Sequence, residues 1–262
     1  MTKDLIKNDE HIKLINKTYD EIDSNIVTVD YSNKEIHLLE VNLLKDFQNL
    51  TSINLSHNLL ESVEETIFNG LIHLEVVNLW RNQLKEIHRD LFKGLTKLKI
   101  IYLGWNKLTT IDKNMFREQP NLTELCLGGN KLQEIDKDLL KGLVNLTALN
   151  LSRNQIRQID KNFFQGLDKL TRIGLFRNNL NTVDMNLFRG LKNLIRIEMH
   201  LNEFNTENFK IYLEKSVEFI SFKNDPFENN LKSIINDVNQ LLHKNFYLIL
   251  QINFFNTRRK IN

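Results

Sequence analysis

Asparagine recurs every 24 residues along this chain, at Asn58, Asn82, Asn106, Asn130, Asn154, Asn178 and Asn202, and apolar residues keep step around it. Three residues before these stand Leu55, Leu79, Leu103, Leu127, Leu151, Leu175 and Met199. Two residues earlier again come Ile53, Val77, Ile101, Leu125, Leu149, Ile173 and Ile197. Such self-similarity restricts the chain to a repeat architecture, in which each unit covers its apolar side only by stacking on the next. Its 262 residues, a length that otherwise suggests one large or two ordinary domains, therefore count repeats along one array.

The spacing within a unit follows from strand geometry. Ile53 and Leu55 alternate with Ser52, Asn54 and Ser56, so a short strand sends its apolar pair inward and its polar residues to the opposite face. Parallel copies about 4.8 Å apart stack those apolar pairs into a continuous core. The side-chain amide of each repeated Asn can bond backbone groups where the chain leaves the strand. That assigns the seven asparagines a structural ladder and no part in catalysis. On the return limb Val63, Ile87, Ile111, Ile135, Ile159 and Val183 precede an acidic residue in most copies: Glu64, Asp112, Asp136, Asp160 and Asp184. These carboxylates fall in separate repeats beside Lys113, Lys137 and Lys161, unlike an oxygen-rich calcium cage, and are read as caps of short turns or helices.

The pattern L-x-x-L-x-L-x-x-N-x-L-x-x-I/V with a downstream F-x-G-L-x-x-L, as in Phe68, Gly70, Leu71 and Leu74, resembles the leucine-rich repeat over roughly residues 26 to 227. Its 24-residue length is similar to the class found in Toll-like receptor ectodomains, Slit-type proteins and matrix proteoglycans. The resemblance implies an α/β repeat solenoid, a curved horseshoe with a parallel β-sheet on its concave face, binding a protein ligand there. Residues 1–25 are then an N-terminal segment, 26–227 the solenoid and 228–262 a C-terminal helical cap with a basic tail. Ile26, Val29, Tyr31, Ile36, Leu39, Leu44 and Phe47 keep the register as a degenerate first repeat, with Lys34 at the asparagine position. The stretch 27–40 resembles the N-terminal cap of secreted leucine-rich proteins with Tyr31 in place of a cysteine. Asn224-Asp225-Pro226-Phe227 resembles the start of their C-terminal cap, and Leu231, Ile234, Ile235, Val238, Leu241 and Leu242 space as one apolar helix face. One copy departs: Glu118-Gln119-Pro120 replaces the Gly-Leu element, and a local bulge is expected there.

Charge and cysteine content narrow the partners and the setting. With 35 Lys+Arg against 33 Asp+Glu, the net charge of +2 gives no bulk case for nucleic acid. No apolar run reaches the roughly twenty residues of a membrane helix. The charged first stretch does not read as a signal peptide, and Cys126, the single cysteine, cannot close an intramolecular disulfide. A cytoplasmic setting follows from these two points; the alternative is a secreted protein whose N-terminus is truncated in this sequence. The sequons at Asn16, Asn49, Asn54, Asn121, Asn145 and Asn150 mostly fall out of the repeat consensus and decide little.

Residues left free by the repeat are the places for function. Trp80, Tyr102, Phe176, Arg196 and His200 fall at outward strand positions, and Arg81, Trp105, Arg153 and Arg177 just before the repeated asparagines. Large aromatics and arginine commonly carry interface energy, so these nine are the candidate partner-binding residues. The other reading is that Trp80 and Trp105 stack on each other or on Arg81 merely to fill the face. Gly104, Gly128 and Gly129 are expected to leave a shallow depression beside Cys126. Cys126 and His200 stand three repeats apart, about 14 Å at strand spacing, too far for a nucleophile and its base. No phosphate-binding, zinc-protease or serine-hydrolase motif is present. The expectation is a monomeric, non-enzymatic protein-protein interaction module without metal or cofactor. An extracellular recognition ectodomain is the alternative, and a nucleic-acid binder using the Arg-aromatic face is a third possibility.

Overall fold

The computed structural model describes residues 27–40, 43–199 and 201–203. Residues 1–25, Ile26, His200, the cap start at Asn224-Asp225-Pro226-Phe227, the C-terminal cap helix and the basic tail lie outside them. Eight three-residue strands follow one another: β1 (Thr28–Asp30), β2 (Ser52–Asn54), β3 (Val76–Asn78), β4 (Ile100–Tyr102), β5 (Glu124–Cys126), β6 (Ala148–Asn150), β7 (Arg172–Gly174) and β8 (Arg196–Glu198). They form one parallel sheet in chain order. Every pairing is offset by one repeat, as in Ile53 opposite Val77 and Ile101 opposite Leu125. The middle residue of each strand is buried while its neighbours face outward, the period-2 alternation that makes a half-buried strand. The degenerate first repeat joins the same sheet through Val29 opposite Ile53.

Columns of identical position fill the interior. Leu55, Leu79, Leu103, Leu127, Leu151 and Leu175 are fully buried, as are Leu60, Leu84, Leu108, Leu132, Ile156 and Leu180. A phenylalanine column stacks along the return limb, with centroids 6.3 Å apart for Phe68–Phe92 and 6.2 Å for Phe92–Phe116. It is interrupted by Leu140 and resumes at Phe164–Phe188, 6.1 Å apart. Ring pairs at this spacing contribute about 0.5–1.5 kcal/mol each beyond the area they bury.

The asparagine ladder closes the turn between sheet and return limb. Asn106 Nδ2 donates to Leu79 O in the preceding repeat (3.0 Å) and to Leu103 O in its own (3.1 Å), while its Oδ1 accepts from Leu84 N (3.1 Å). The same three bonds hold Asn82, Asn130, Asn154 and Asn178. Asn58 Nδ2 reaches Tyr31 O (2.8 Å) and its Oδ1 takes the amides of Lys34 and Ile36, so the first repeat is tied in without an asparagine of its own.

On the return limb the described residues form turns, with one short 3-10 helix at Met185–Phe188. The helical half of the expected α/β class is reduced to that among them. The acidic positions act as caps. Oδ1 of Asp112, Asp136, Asp160 and Asp184 each accepts from the amide two residues on, at 2.7–2.8 Å. In the copy that lacks an acid, His88 Nδ1 accepts from Asp90 N at 3.3 Å. The bulge expected at Glu118-Gln119-Pro120 does not form. Gln119 N still bonds Phe116 O and Leu122 N still bonds Gln119 O, the same turn pattern as Leu143 N to Leu140 O and Leu146 N to Leu143 O. Gln119 occupies the buried leucine position, 1% exposed. Its Nε2 donates to Phe92 O (2.8 Å), while its Oε1 is buried without a hydrogen-bond partner.

Candidate functional site: the outward sheet face

The strand exits have a backbone peculiarity that residue patterns do not announce. The residue before each ladder asparagine is left-handed: His57, Arg81, Trp105, Arg153, Arg177 and Leu201 have φ of 52–58°, and Gly129 has φ of 74°. Left-handed geometry costs a non-glycine residue about 1 kcal/mol or more. It lets the amide continue the sheet's bonding past the strand, as in Arg81 N to Gly104 O (2.9 Å), Trp105 N to Gly128 O (2.8 Å) and Arg153 N to Phe176 O (2.7 Å). Side chains at these exits therefore stand on a repeated, tightly bonded turn.

Three glycines receive neighbouring side chains, so the expected shallow depression at Gly104, Gly128 and Gly129 is corrected. A Cβ on Gly104 would come within 2.3 Å of the Trp80 ring, one on Gly129 within 3.0 Å of the Trp105 ring, and one on Gly128 within 2.8 Å of Asn150 Oδ1. The volume the glycines give up is filled by residues from adjacent repeats. Trp80 and Trp105 approach to 6.4 Å between centroids at 54°. The Arg81 guanidinium lies 5.3 Å from the Trp105 ring, that of Arg153 lies 5.5 Å from it, and Arg153 also lies 5.3 Å from Phe176. Each such cation–π contact is worth roughly 0.5–1 kcal/mol where solvent reaches it. Trp105 is still 41% exposed after these contacts.

A groove of about 490 Å³ runs across the sheet beside this stack, past Tyr102, Cys126, Asn150, Arg172 and Glu198. Burial and the neighbouring Glu124 carboxylate raise the Tyr102 phenol above its usual range. Burial pushes the Cys126 thiol up to about 11, against hydrogen bonds from Gly128 and Asn150 that favour the thiolate. Arg196 pairs with Glu198 on its own strand. Hydrogen bonds from Ser32 hold Asp30, at the opposite edge, below the ordinary carboxylate range. Trp80, Arg81, Tyr102, Trp105, Arg153, Phe176, Arg177 and Arg196 thus share one face, and Trp80, Arg81, Trp105, Arg153 and Phe176 form a continuous stack. His200 lies outside the described residues. Residue-pattern reasoning missed Asn150, which covers two glycines, Gly128 and Gly174, and the Tyr102–Glu124 contact. The run Gly128-Gly129 beside a tryptophan in the preceding repeat was the available signal for seated rings.

Among the described residues no group of three or more His, Cys, Asp or Glu could hold a metal ion. No helix among them is long and apolar enough to cross a membrane.

A stack of eight parallel strands with an asparagine ladder defines a leucine-rich repeat solenoid, and comparison with known proteins agrees. Two stretches, residues 72–132 and 120–180, match the family model described as leucine rich repeat. Residues 72–180 are thus matched as leucine rich repeats, and the parallel-strand solenoid around them is consistent with a leucine-rich repeat protein. Among solved structures, that of the TLR13–ssRNA13 complex aligns at 32% identity and a TM-score of 0.65, covering 70% of this chain. The Toll–Spatzle complex, described as a molecular hub in Drosophila development and innate immunity, aligns at 26% identity and 0.62 over 78%. An internalin from Listeria monocytogenes aligns at 25% and 0.58 over 70%. The chain spans 26%, 30% and 50% of the lengths of those three proteins. No curated protein sequence matches it.

Proposed function

We propose that this protein is a non-enzymatic interaction module that binds a protein ligand on its concave sheet face, as a monomer. The observation that carries the reading is the exposed Trp105, held between Arg81 and Arg153 at 5.3 and 5.5 Å on rigid strand exits. Aromatic and arginine side chains fixed in advance lose little entropy when a partner arrives. Both the Toll and TLR13 structures are complexes with a ligand, which supports recognition as the general role. Cys126, buried with its thiol pushed up to about 11, is a poor nucleophile.

The test is quantitative affinity capture from the natural host with wild-type protein and with a Trp105→Ala/Phe176→Ala variant, each confirmed folded by circular dichroism. A partner retained by the first and lost by the second supports the reading. Equal recovery of every partner removes the face from consideration. An extracellular recognition role is favoured by the likeness to Toll, whereas the single cysteine suits a reducing compartment. Glycan analysis of native protein at Asn49 and Asn121, both exposed, separates the two.

A further inference from the structure

The C-terminal half of the sheet face carries an imbalance of charge that the chain's near-neutral total conceals. On strands β6 to β8 and their exits, the described residues contribute Arg153, Arg172, Arg177 and Arg196 against one carboxylate, Glu198. Arg196 has taken that carboxylate. Arg81, Arg153, Arg172 and Arg177 have no ion pair among the described residues. The guanidinium carbons of the first two lie over the Trp105 ring, and that of Arg153 also over Phe176. A guanidinium stacked on a ring keeps its in-plane N–H donors, and those donors match oxyanions in bidentate geometry.

Resting on the concave-face reading, we infer that the ligand segment is an extended, carboxylate-rich stretch of a protein, laid across the strand exits so that its acidic side chains meet Arg153 and Arg177 and the more distant Arg81. Spacing supports an extended ligand. Neighbouring exits lie about 4.8 Å apart, so the exits of Arg81 and Arg153, three repeats apart, are separated by about 14 Å, while their guanidiniums, drawn in to 5.3 and 5.5 Å from one Trp105 ring, are within about 11 Å of each other; the same-side i to i+2 and i to i+4 spacings of an extended chain, about 7 and 14 Å, bracket that range. The ring contacts favour a protein over single-stranded RNA. Base recognition on a strand of RNA uses free aromatic faces, whereas the Trp105 ring is met by Gly129 and by two guanidiniums, and Phe176 by Arg153. The Glu124 and Glu198 carboxylates lining the groove also repel a continuous phosphate backbone, while separate carboxylates at the exits avoid them.

Fluorescence polarisation with the full chain tests this, using three labelled probes: a peptide of about twelve residues alternating Glu and Gly, its Gln-Gly twin, and an oligouridylate of similar extended length. The Glu peptide binds, the Gln peptide binds at least about tenfold more weakly, and adding salt weakens the difference. Arg153→Asn/Arg177→Asn, chosen because Asn tolerates left-handed backbone, loses at least about tenfold for the Glu peptide. Arg172→Glu, on an ordinary strand backbone, loses affinity in the same sense and guards against a folding defect in the exit variant. Equal binding of the Glu and Gln peptides, tighter binding of oligouridylate, or unaltered binding by both variants overturns the acidic-ligand assignment, as does failure of all three probes. None of these outcomes touches the broader reading, which falls only if capture is insensitive to Trp105 and Phe176.

Discussion

The indole of Trp105 lies against Gly129 in the next repeat, 3.0 Å from where a Cβ would stand, and so reaches Arg153 two repeats away at 5.5 Å. One missing side chain thus lets a contact skip a strand. The same device seats Trp80 over Gly104, at 2.3 Å from the would-be Cβ.

The two glycines are expected to respond differently. Gly129→Ala meets both a left-handed backbone at φ 74° and the indole, and is expected to cost about 1–3 kcal/mol with a change in tryptophan emission as Trp105 leaves Arg153. Gly104→Ala has no left-handed backbone to strain, but its Cβ would also lie 2.9 Å from Gly128 O. It should cost about as much, through displacement of Trp80 and of the Gly128 carbonyl. Chemical denaturation gives the stability and emission spectra the ring environment. Unaltered emission in both variants would contradict the seating of the rings.

The 24-residue register carries the strands, the core columns and the asparagine ladder because each depends on residue type at a fixed position. Asn58 tying in the Lys34 repeat follows the same rule, since each ladder side chain bonds backbone groups of the preceding copy, here the amides of Lys34 and Ile36 and the carbonyl of Tyr31. Lateral packing is different. An empty position at Gly104 looks like a hollow until the reach and direction of Trp80 are known, and a one-dimensional pattern contains neither. Left-handed φ at Arg81, Trp105 and Arg153 is hidden for a related reason: the residues are ordinary, and only Gly129 at the same place hints at the backbone they share. At Glu118-Gln119-Pro120 the pattern suggested distortion, yet the stack on either side holds the turn in place, with Gly94 N bonding Glu118 Oε2 at 2.9 Å.

Asn130 shows what one ladder rung contributes. Replacing it by Ala leaves Leu103 O and Leu127 O without their side-chain donor and Leu108 N without an acceptor. With those groups buried, a loss of about 3 kcal/mol is expected. Asn121→Ala, which removes a single exposed bond to Thr96 O, should stay within about 1 kcal/mol. Urea titrations of the pair check the contrast, and similar midpoints would mean the ladder is not what closes the turn.

Gln119 offers a change in the opposite direction. Its partner, Phe92 O, already accepts from Leu95 N, so the Nε2 bond duplicates one that exists, while Oε1 is buried and unsatisfied. Gln119→Leu restores the residue found at Leu95 and Leu143 and is expected to raise stability by about 1 kcal/mol. A raised denaturation midpoint with unchanged slope is the expected result; destabilisation would show that Oε1 has a partner, such as an ordered water, that the leucine evicts.

Cys126 links stability to pH. Burial, the largest cause, raises its thiol from 9.0 to about 11, and the Glu124 charge adds to this. The folded state therefore holds the proton more tightly than the unfolded chain does. Stability from this group is fully present below the unfolded value near 9 and is lost as pH rises through about 11, a change of up to roughly 2–3 kcal/mol. Tyr102, raised first by burial and then by Glu124, acts in the same direction in the alkaline range. The melting temperature should be level from neutral pH to about 9 and fall above it, with a shallower fall in Cys126→Ala. At a pH below 9, native thiolate is scarcer by about a hundredfold than in the unfolded chain, so iodoacetamide should label Cys126 slowly in buffer and rapidly in urea. Equal labelling rates would show that the thiol is open to solvent and that the pocket around Tyr102 and Asn150 does not shield it.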